Sequence, residues 1–312
     1  MRRAVLGRRG ALAMIVLLGL AVAGVWWLYA PDRGRAGLEA EYAGAPSQFV
    51  EVSGVRLHVR DTGPRGAPTV VLLHGFGSSL HTWDAWAGDL ERDHRVIRYD
   101  EPGFGLTGRD PGGYTDERGV AVLLGLLDRL GVQRASVTGN SMGGRIAWRF
   151  AAAHPERMDR LVLISPDGFA GPGRAYGTTE AVPWAMRTLP YVLPRFMLWP
   201  MLEAAYARPG VLTEALYDRY RDMMLAPGVR RAIVDRMGDQ VLADPVPLLR
   251  TIEVPTLLLW GEGDRMIPFG NSKDYLAALP HGELQALPRV GHVPQEEAPE
   301  TVNFVRAFLD RR

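Results

Sequence analysis

Three side chains in this 312-residue chain have types and spacings suited to one reaction. Ser141 lies in "VTGNSMGGRI", with Gly139 and Gly143 two places either side. A strand that turns sharply into a helix strains the backbone at its corner residue. It also brings the flanking positions too close for side chains, and it points the corner residue out at the carboxyl end of the sheet, beside the helix's positive end. A hydroxyl held there is a weak nucleophile until a base takes its proton. Of the seven histidines, only His281 and His292 follow residue 245. His281, in "LPHGE", precedes the last expected strand and falls at the far end of the sheet. His292, in "RVGHVPQEE", follows that strand and falls at the end of Ser141, so it is the candidate base. "LLLWGEGDRMIP" offers Glu262 and Asp264 as the orienting carboxylate; Asp264 is favoured because it lies further into the loop. It would hold the imidazole tautomer and stabilise the imidazolium. The oxyanion of a tetrahedral intermediate needs donors, for which the backbone N–H groups of Met142 and of Phe76 in "HGFGSS" are the candidates. Gly75 and Gly77 let that loop bend in close, and His74 is expected to brace it.

These groups meet only if strands and helices alternate around them. "QFVEVSGVRLHVRDTG" predicts a hairpin turning at Ser53–Gly54. "TVVLLHG" and "RVIRYD" are apolar runs suited to strands buried on both faces. A helix over 116–131 is followed by a strand at 135–139, a helix from Met142 to about His154 and a strand at 160–165. The rhythm stops at Pro166 and resumes with a strand at 255–261, a helix at about 270–279, a strand at 283–288 and a last helix from Pro299. Residues 48–167 and 246–312 therefore form one α/β core with a mostly parallel sheet and helices on both faces, and 168–245 a helical cap. The cap is rich in methionine and aromatic residues. Trp184, Phe196, Met197 and Trp199 are its candidate substrate contacts, with Met186, Met223 and Met224 beside them. Such a lining suits an apolar acyl or alcohol group. Arg145, one turn into the nucleophile helix, is expected in a salt bridge or in solvent, and Glu101 in "YDEPGFG" has no expected role.

The chain has no cysteine, which excludes disulfides, thiolate metal sites and a cysteine nucleophile. Net charge is +1, with six arginines against one aspartate in residues 1–35 and a mildly acidic remainder. With no basic run in the body, a nucleic-acid partner is not expected. Residues 1–10 form a basic, cytoplasmic amino terminus, and 11–30 carry no charge. As a helix the latter would be about 30 Å long, the thickness of a bilayer core. Trp26, Trp27 and Tyr29 at its far end suit a membrane–water interface, and the arginines before it place the body outside the cytoplasm. The expectation is a transmembrane anchor contacting the lipid bilayer, on the periplasmic side of the inner membrane if the source is Gram-negative. The alternative is a signal peptide cleaved near "AVA" at 21–23, and secretion. Residues 31–47 read as a linker.

"LLHGFGSSLHTWDAW", "YDEPGFGLTG", "GNSMGGRIAWRFAAAHPERMDRLVLIS", "LLLWGEGDRMIP" and "VGHVPQEEAPE", in this order, resemble the serine-dependent α/β-hydrolases with a helical cap, over about residues 48–312. The resemblance implies an eight-stranded sheet, a cap over the site and the triad Ser141–Asp264–His292. Capped relatives with an aspartate nucleophile, the haloalkane dehalogenases and epoxide hydrolases, are disfavoured by the serine at 141. The first expectation is a membrane-tethered carboxylesterase that forms an acyl-enzyme with a small apolar ester and needs no metal or organic cofactor. "GNSMGG" is also similar to the hydrolases that cleave carbon–carbon bonds in ring-fission products. Those typically carry Trp after the catalytic histidine and a Gly-Pro-Gly oxyanion loop, where this chain has Val293 and "HGFGSS". Carbon–carbon cleavage is therefore the alternative, and a catalytically silent, membrane-held binding module a further one.

Overall fold

The computed structural model describes residues 2–171, 175–179 and 181–311, leaving aside the side chains of 2–12, 21 and 25. The chain opens with helices α1 (Arg2–Leu28) and α2 (Arg35–Tyr42). Strands β1 (Ser47–Val52) and β2 (Val55–Thr62) form the expected hairpin, with Ser53 at φ 51° and Gly54 at φ 84°. Two consecutive positive φ values match the right-handed twist of the strands they join. There follow β3 (Thr69–Leu73), α3 (Asp84–Leu90), β4 (Arg95–Tyr99), α4 (Asp116–Arg129), β5 (Ala135–Asn140), α5 (Met142–Ala153) and β6 (Met158–Ile164). Helices α6 (Arg195–Glu203), α7 (Glu214–Met224), α8 (Val229–Asp239) and α9 (Val246–Leu249) come next. Then β7 (Thr256–Gly261), α10 (Asn271–Ala278), β8 (Gly282–Leu287), α11 (Pro294–Glu297) and α12 (Val302–Leu309) close the chain.

The eight strands form one sheet in the order β1-β2-β4-β3-β5-β6-β7-β8. β1–β2 and β2–β4 are antiparallel and every other pair is parallel. Every residue of β3, β4, β5 and β7 is buried, as the nearly continuous apolar runs of β3 and β7 require. One face packs on α4, α5 and α10 through Leu123, Leu127, Phe150 and Tyr275. The other packs on α3 and α12 through Trp86, Leu90, Val305 and Phe308. The third apolar cluster belongs to the cap, where Leu198, Leu202, Tyr217 and Met223 enclose Met142 and Val293 from the core. The cap therefore closes on the carboxyl end of the sheet.

Two amino-terminal features differ from expectation. Residues 31–47 contain α2, whose Leu38 is fully buried against the cap cluster. Asp32 accepts from Arg230 of α8 at 2.7 Å, and Arg33 pairs with Asp222 of α7, so this stretch is fastened to the cap. The expected transmembrane run 11–30 is almost wholly within α1, and Tyr29 bridges to Val192 of the cap segment. Among the described residues, however, no helix is long and apolar enough to cross a membrane. The side chains of residues 11, 12, 21 and 25, which belong to the expected span, lie outside that description.

Candidate active site

Ser141 stands at the corner between β5 and α5 with φ 54° and ψ −119°, a conformation L-residues rarely adopt. The glycines are explained by space. A Cβ on Gly139 would lie 2.3 Å from the Gly143 carbonyl oxygen, and one on Gly143 would lie 2.4 Å from that of Leu73. No side chain fits at either position, and the corner residue is held out at the end of the sheet. Gly75, in the loop after β3, also approaches closely: its Cβ would sit 3.2 Å from the Ser141 Cβ.

His292 arrives on the loop after β8. Its Nδ1 lies 2.8 Å from Asp264 Oδ2, on the loop after β7. Both side chains are buried. The other carboxylate oxygen, Oδ1, accepts from the N–H groups of Met266 and Ile267 at 2.8 and 2.9 Å, which fixes the carboxylate's plane. The sequence choice of Asp264 over Glu262 matches this contact, whereas His281 sits at the amino end of β8 beside Glu253. Ser141 and His292 line one cavity of about 100 Å³, and among the described residues no hydrogen bond joins Ser141 Oγ to the ring. The cap fastens this histidine too, since its backbone N–H donates to the Ala205 carbonyl at 2.7 Å.

Of the two candidate oxyanion donors, one follows Ser141 in the chain and the other lines its cavity. Met142 is the first residue of α5, where a backbone N–H has no partner within the helix. Phe76 lines the cavity, and its N–H donates to no hydrogen bond among the described residues. His74 braces this loop as expected. Its Nδ1 lies 2.8 Å from the Gly75 oxygen, and its Nε2 accepts from the Glu101 N–H at 2.9 Å. Burial lowers the His74 pKa, consistent with a neutral ring that serves as a strut. Arg145 is salt-bridged to Asp116 at 3.0 Å and Asp167 at 2.6 Å, so it is not free to bind substrate. No cluster of side chains suited to a metal ion occurs among the described residues.

The expected cap contacts require correction. Trp184, Phe196 and Met197 are exposed by 81%, 62% and 56%, and none of these three nor Trp199 lines the cavity. Phe196 and Trp199 border a different, larger groove of about 1070 Å³ between the Trp27–Arg33 segment and the cap, which contains none of the triad residues. The reason is helical phase: α6 turns Leu198 and Leu202 inward and its residues 196 and 197 outward. The cap side chains over the serine are Met201, Leu202, Ala205, Tyr206, Tyr220 and Met224. Of these, only Met224 was among the residues picked out from the sequence.

Asn140 was also missed, although it adjoins the serine in "GNSMGG". Its Nδ2 donates to the carbonyls of His292 at 2.9 Å and Ile164 at 3.1 Å, tying the nucleophile strand to the histidine loop. Missed as well was a polar group in the cavity wall, formed by Tyr206 and Tyr220 and joined to Glu296, which does not line the cavity. Tyr206 and Tyr220 donate to Glu296 Oε2 at 2.6 and 3.0 Å, and Arg219 donates to Oε1 at 2.5 Å. The cavity is smaller than the few hundred Å³ typical of ligand sites. Entry of a substrate therefore requires flexible side chains such as Met201, Met224 and Met266 to swing aside.

Comparison with known proteins fits this arrangement. The alpha/beta hydrolase fold family matches residues 68–299. A 2-hydroxy-6-oxononadienedioate/2-hydroxy-6-oxononatrienedioate hydrolase of Paraburkholderia phymatum is 32% identical, over 83% of this chain and 93% of the relative. A 2-hydroxy-6-oxo-6-phenylhexa-2,4-dienoate hydrolase of Burkholderia cepacia is 29% identical, over 85% and 95%. Among solved structures, a membrane phospholipase A described as a bacterial virulence factor superposes with a TM-score of 0.74 at 27% identity, covering 97% of this chain and 98% of that one. With a family match over most of the chain, an eight-stranded sheet of this order and a serine at the corner after β5, the protein belongs to the α/β-hydrolase fold family.

Proposed function

We propose that this hydrolase breaks a bond to a carbonyl carbon through an acyl-enzyme on Ser141, and that the bond is carbon–carbon, in a ring-fission product. The observation that supports the serine chemistry is the convergence of Ser141, the Asp264-held His292 and Phe76 on one cavity, with Met142 following Ser141 at the start of α5. His292 takes the serine proton as Oγ attacks, and the N–H groups of Phe76 and Met142 hold the oxyanion. As the tetrahedral adduct collapses, the electron pair of the breaking bond leaves with a carbon that can delocalise it into a neighbouring carbonyl, and the imidazolium returns a proton to that fragment. Water then adds to the acyl group with His292 as base, releasing a carboxylic acid and free Ser141.

The names of the sequence relatives support the carbon–carbon reading over the ester first expected. Val293 and the "HGFGSS" loop are local departures, and they weigh less than similarity over 83% of the chain. One observation favours ester cleavage as the second reading: among the described residues no arginine or lysine lines the cavity to pair with a second carboxylate. The test is turnover of 2-hydroxy-6-oxo-6-phenylhexa-2,4-dienoate against a graded series of alkyl esters and an amide, with Ser141→Ala as control. The expected result is serine-dependent loss of the dienoate at a higher kcat/KM than any ester. Efficient ester cleavage with the dienoate untouched would replace the first reading by the second. A folded protein that no fluorophosphonate labels would leave the silent binding module.

Contact of residues 11–30 with a lipid bilayer is likewise our proposal. Exposure supports it: Met14, Leu17, Leu18, Trp26 and Trp27 each leave 66–77% of their surface open, and an apolar array of that extent marks an interaction surface. Flotation of membranes from a cell lysate checks it. The full chain should rise with the lipid and a chain lacking residues 2–30 should not; absence of both from the lipid fraction refutes the contact. The same fractionation, done with a periplasmic marker, tests the expected location outside the cytoplasm.

A further inference from the structure

One wall of the cavity is polar, and no step above uses it. Tyr206, Tyr220 and Ser78 line the cavity with Ser141 and His292, and the two phenols are only 3% and 7% exposed. Both phenols donate to the same oxygen of Glu296, whose other oxygen accepts from Arg219. Ser78 Oγ donates to the Tyr220 oxygen at 3.4 Å. Glu296 stands four residues beyond His292, while Tyr206, Arg219 and Tyr220 belong to the cap, so this wall spans cap and core.

Counting hydrogens decides what the wall can bind. A phenol has one hydrogen, and each is committed to Glu296; the Ser78 hydrogen is directed to Tyr220. Burial, reinforced by the Glu296 carboxylate, pushes both tyrosines above their ordinary pKa and keeps them neutral, with Arg219 opposing it at Tyr220. Arg219 already neutralises Glu296. The wall thus offers oxygen lone pairs, with no spare phenol hydrogen and no spare positive charge. A carboxylate or phosphate finds at most the single rotatable Ser78 hydrogen as a donor, whereas an O–H group finds up to three acceptors.

We propose that Tyr206, Tyr220 and Ser78 form a polar subsite that binds an uncharged hydroxyl group of the substrate and rejects an anion at the same position. The proposal rests on the reading of this cavity as the substrate site of a serine hydrolase. Labelling of the full chain by a fluorophosphonate, lost in Ser141→Ala, checks that reading first. Selectivity is then read as kcat/KM for 4-nitrophenyl alkanoates paired with analogues carrying one hydroxyl, or one carboxylate, at successive carbons. At one chain position the hydroxylated ester should be preferred about 5- to 10-fold, mainly through KM, as one added hydrogen bond gives. The carboxylate analogue should be disfavoured there. In Tyr206→Phe/Tyr220→Phe the hydroxyl preference should fall to about 1 as those hydrogen bonds are lost. If the double variant does not fold, Tyr220→Phe alone, which leaves Tyr206 on Glu296, should still lower the ratio. A latch that merely held the cap down would lower Tm and leave the ratio unchanged, which would overturn the subsite. A labelled wild type with no preference at any position would overturn it while the hydrolase reading stands. Absence of labelling would overturn both.

Discussion

Among the described residues the molecule holds two serine–histidine–aspartate sets. Ser47 Oγ lies 2.9 Å from His58 Nε2, and His58 Nδ1 lies 2.8 Å from Asp100 Oδ2. Asp264 and His292 repeat the second distance at 2.8 Å, but Ser141 makes no hydrogen bond to His292 among the described residues. By contacts alone the first set is the more complete triad. None of its residues, however, lines the cavity. Ser47 sits on edge strand β1 and also accepts from Arg60 Nε at 2.9 Å. The Asp100 carboxylate is occupied by the N–H groups of Leu80 and Leu106 at 2.7 and 2.8 Å. That set staples the hairpin to the loops beyond β3 and β4. The Ser141 set differs in its strained corner and in lining a cavity, and the N–H groups of Phe76 and Met142 beside it make no hydrogen bond among the described residues. A relay of three side chains is therefore not a catalytic site until space and oxyanion donors complete it.

The largest effect that separates the two sets is chemical. Ser141→Ala should lose fluorophosphonate labelling and about 10⁶ in turnover, while Ser47→Ala should keep both. Labelling that persisted without Ser141 and vanished without Ser47 would invert the comparison. Next come the carboxylates. Asp264→Asn should lower kcat by about 10⁴ with the fold retained, since the imidazole loses its tautomer. Asp100→Asn should instead lower stability by about 3–5 kcal/mol, as breaking a buried pair does, with turnover per folded molecule preserved. Thermal melts combined with active-site titration distinguish these outcomes.

The smallest expected effect lies one residue away. Burial pushes Glu101 up to about 7, with Arg236 acting in the opposite direction. Asp100 is held below its ordinary value because His58 outweighs the effect of burial. The signs therefore oppose each other. Between the ordinary value of 4.5 and about 7, the fold keeps a proton on Glu101 that the unfolded chain has lost, so stability falls as pH rises through that window. Asp100 contributes stability that is present above the ordinary carboxylate range and lost in strong acid. Glu101→Gln should remove the decline on the neutral side, with Tm at pH 8 rising relative to wild type by about 2–4 °C per kcal/mol. Parallel Tm–pH curves for the two proteins would show that Glu101 does not titrate in this window.

The placement of Ser141, Asp264 and His292 at one end of the sheet was legible because each follows a strand with a recognisable run, and chain order fixes the end of the sheet at which it emerges. Gly139 and Gly143 announced the corner, since their positions exclude any Cβ. The cap pocket was not legible. Apolar residues occur all around α6, so composition could not tell which side faces Ser141. Tyr206, Tyr220 and Glu296 lie up to 90 residues apart and have no shared motif. The uncharged run at 11–30 foretold a helix, but whether that helix meets lipid depends on its surroundings.

What the amino-acid order determined by itself was therefore local and periodic: the strands, the helices, the serine corner and the sheet end to which the histidine and aspartate are delivered. Packing between distant segments decided the rest. It selected which helix face closes over the serine, left one serine relay open and the other enclosed, and brought two phenols onto one carboxylate. The physical reason is that backbone preference and apolar periodicity act over a few residues, whereas burial and hydrogen-bond saturation depend on neighbours that only the folded chain supplies.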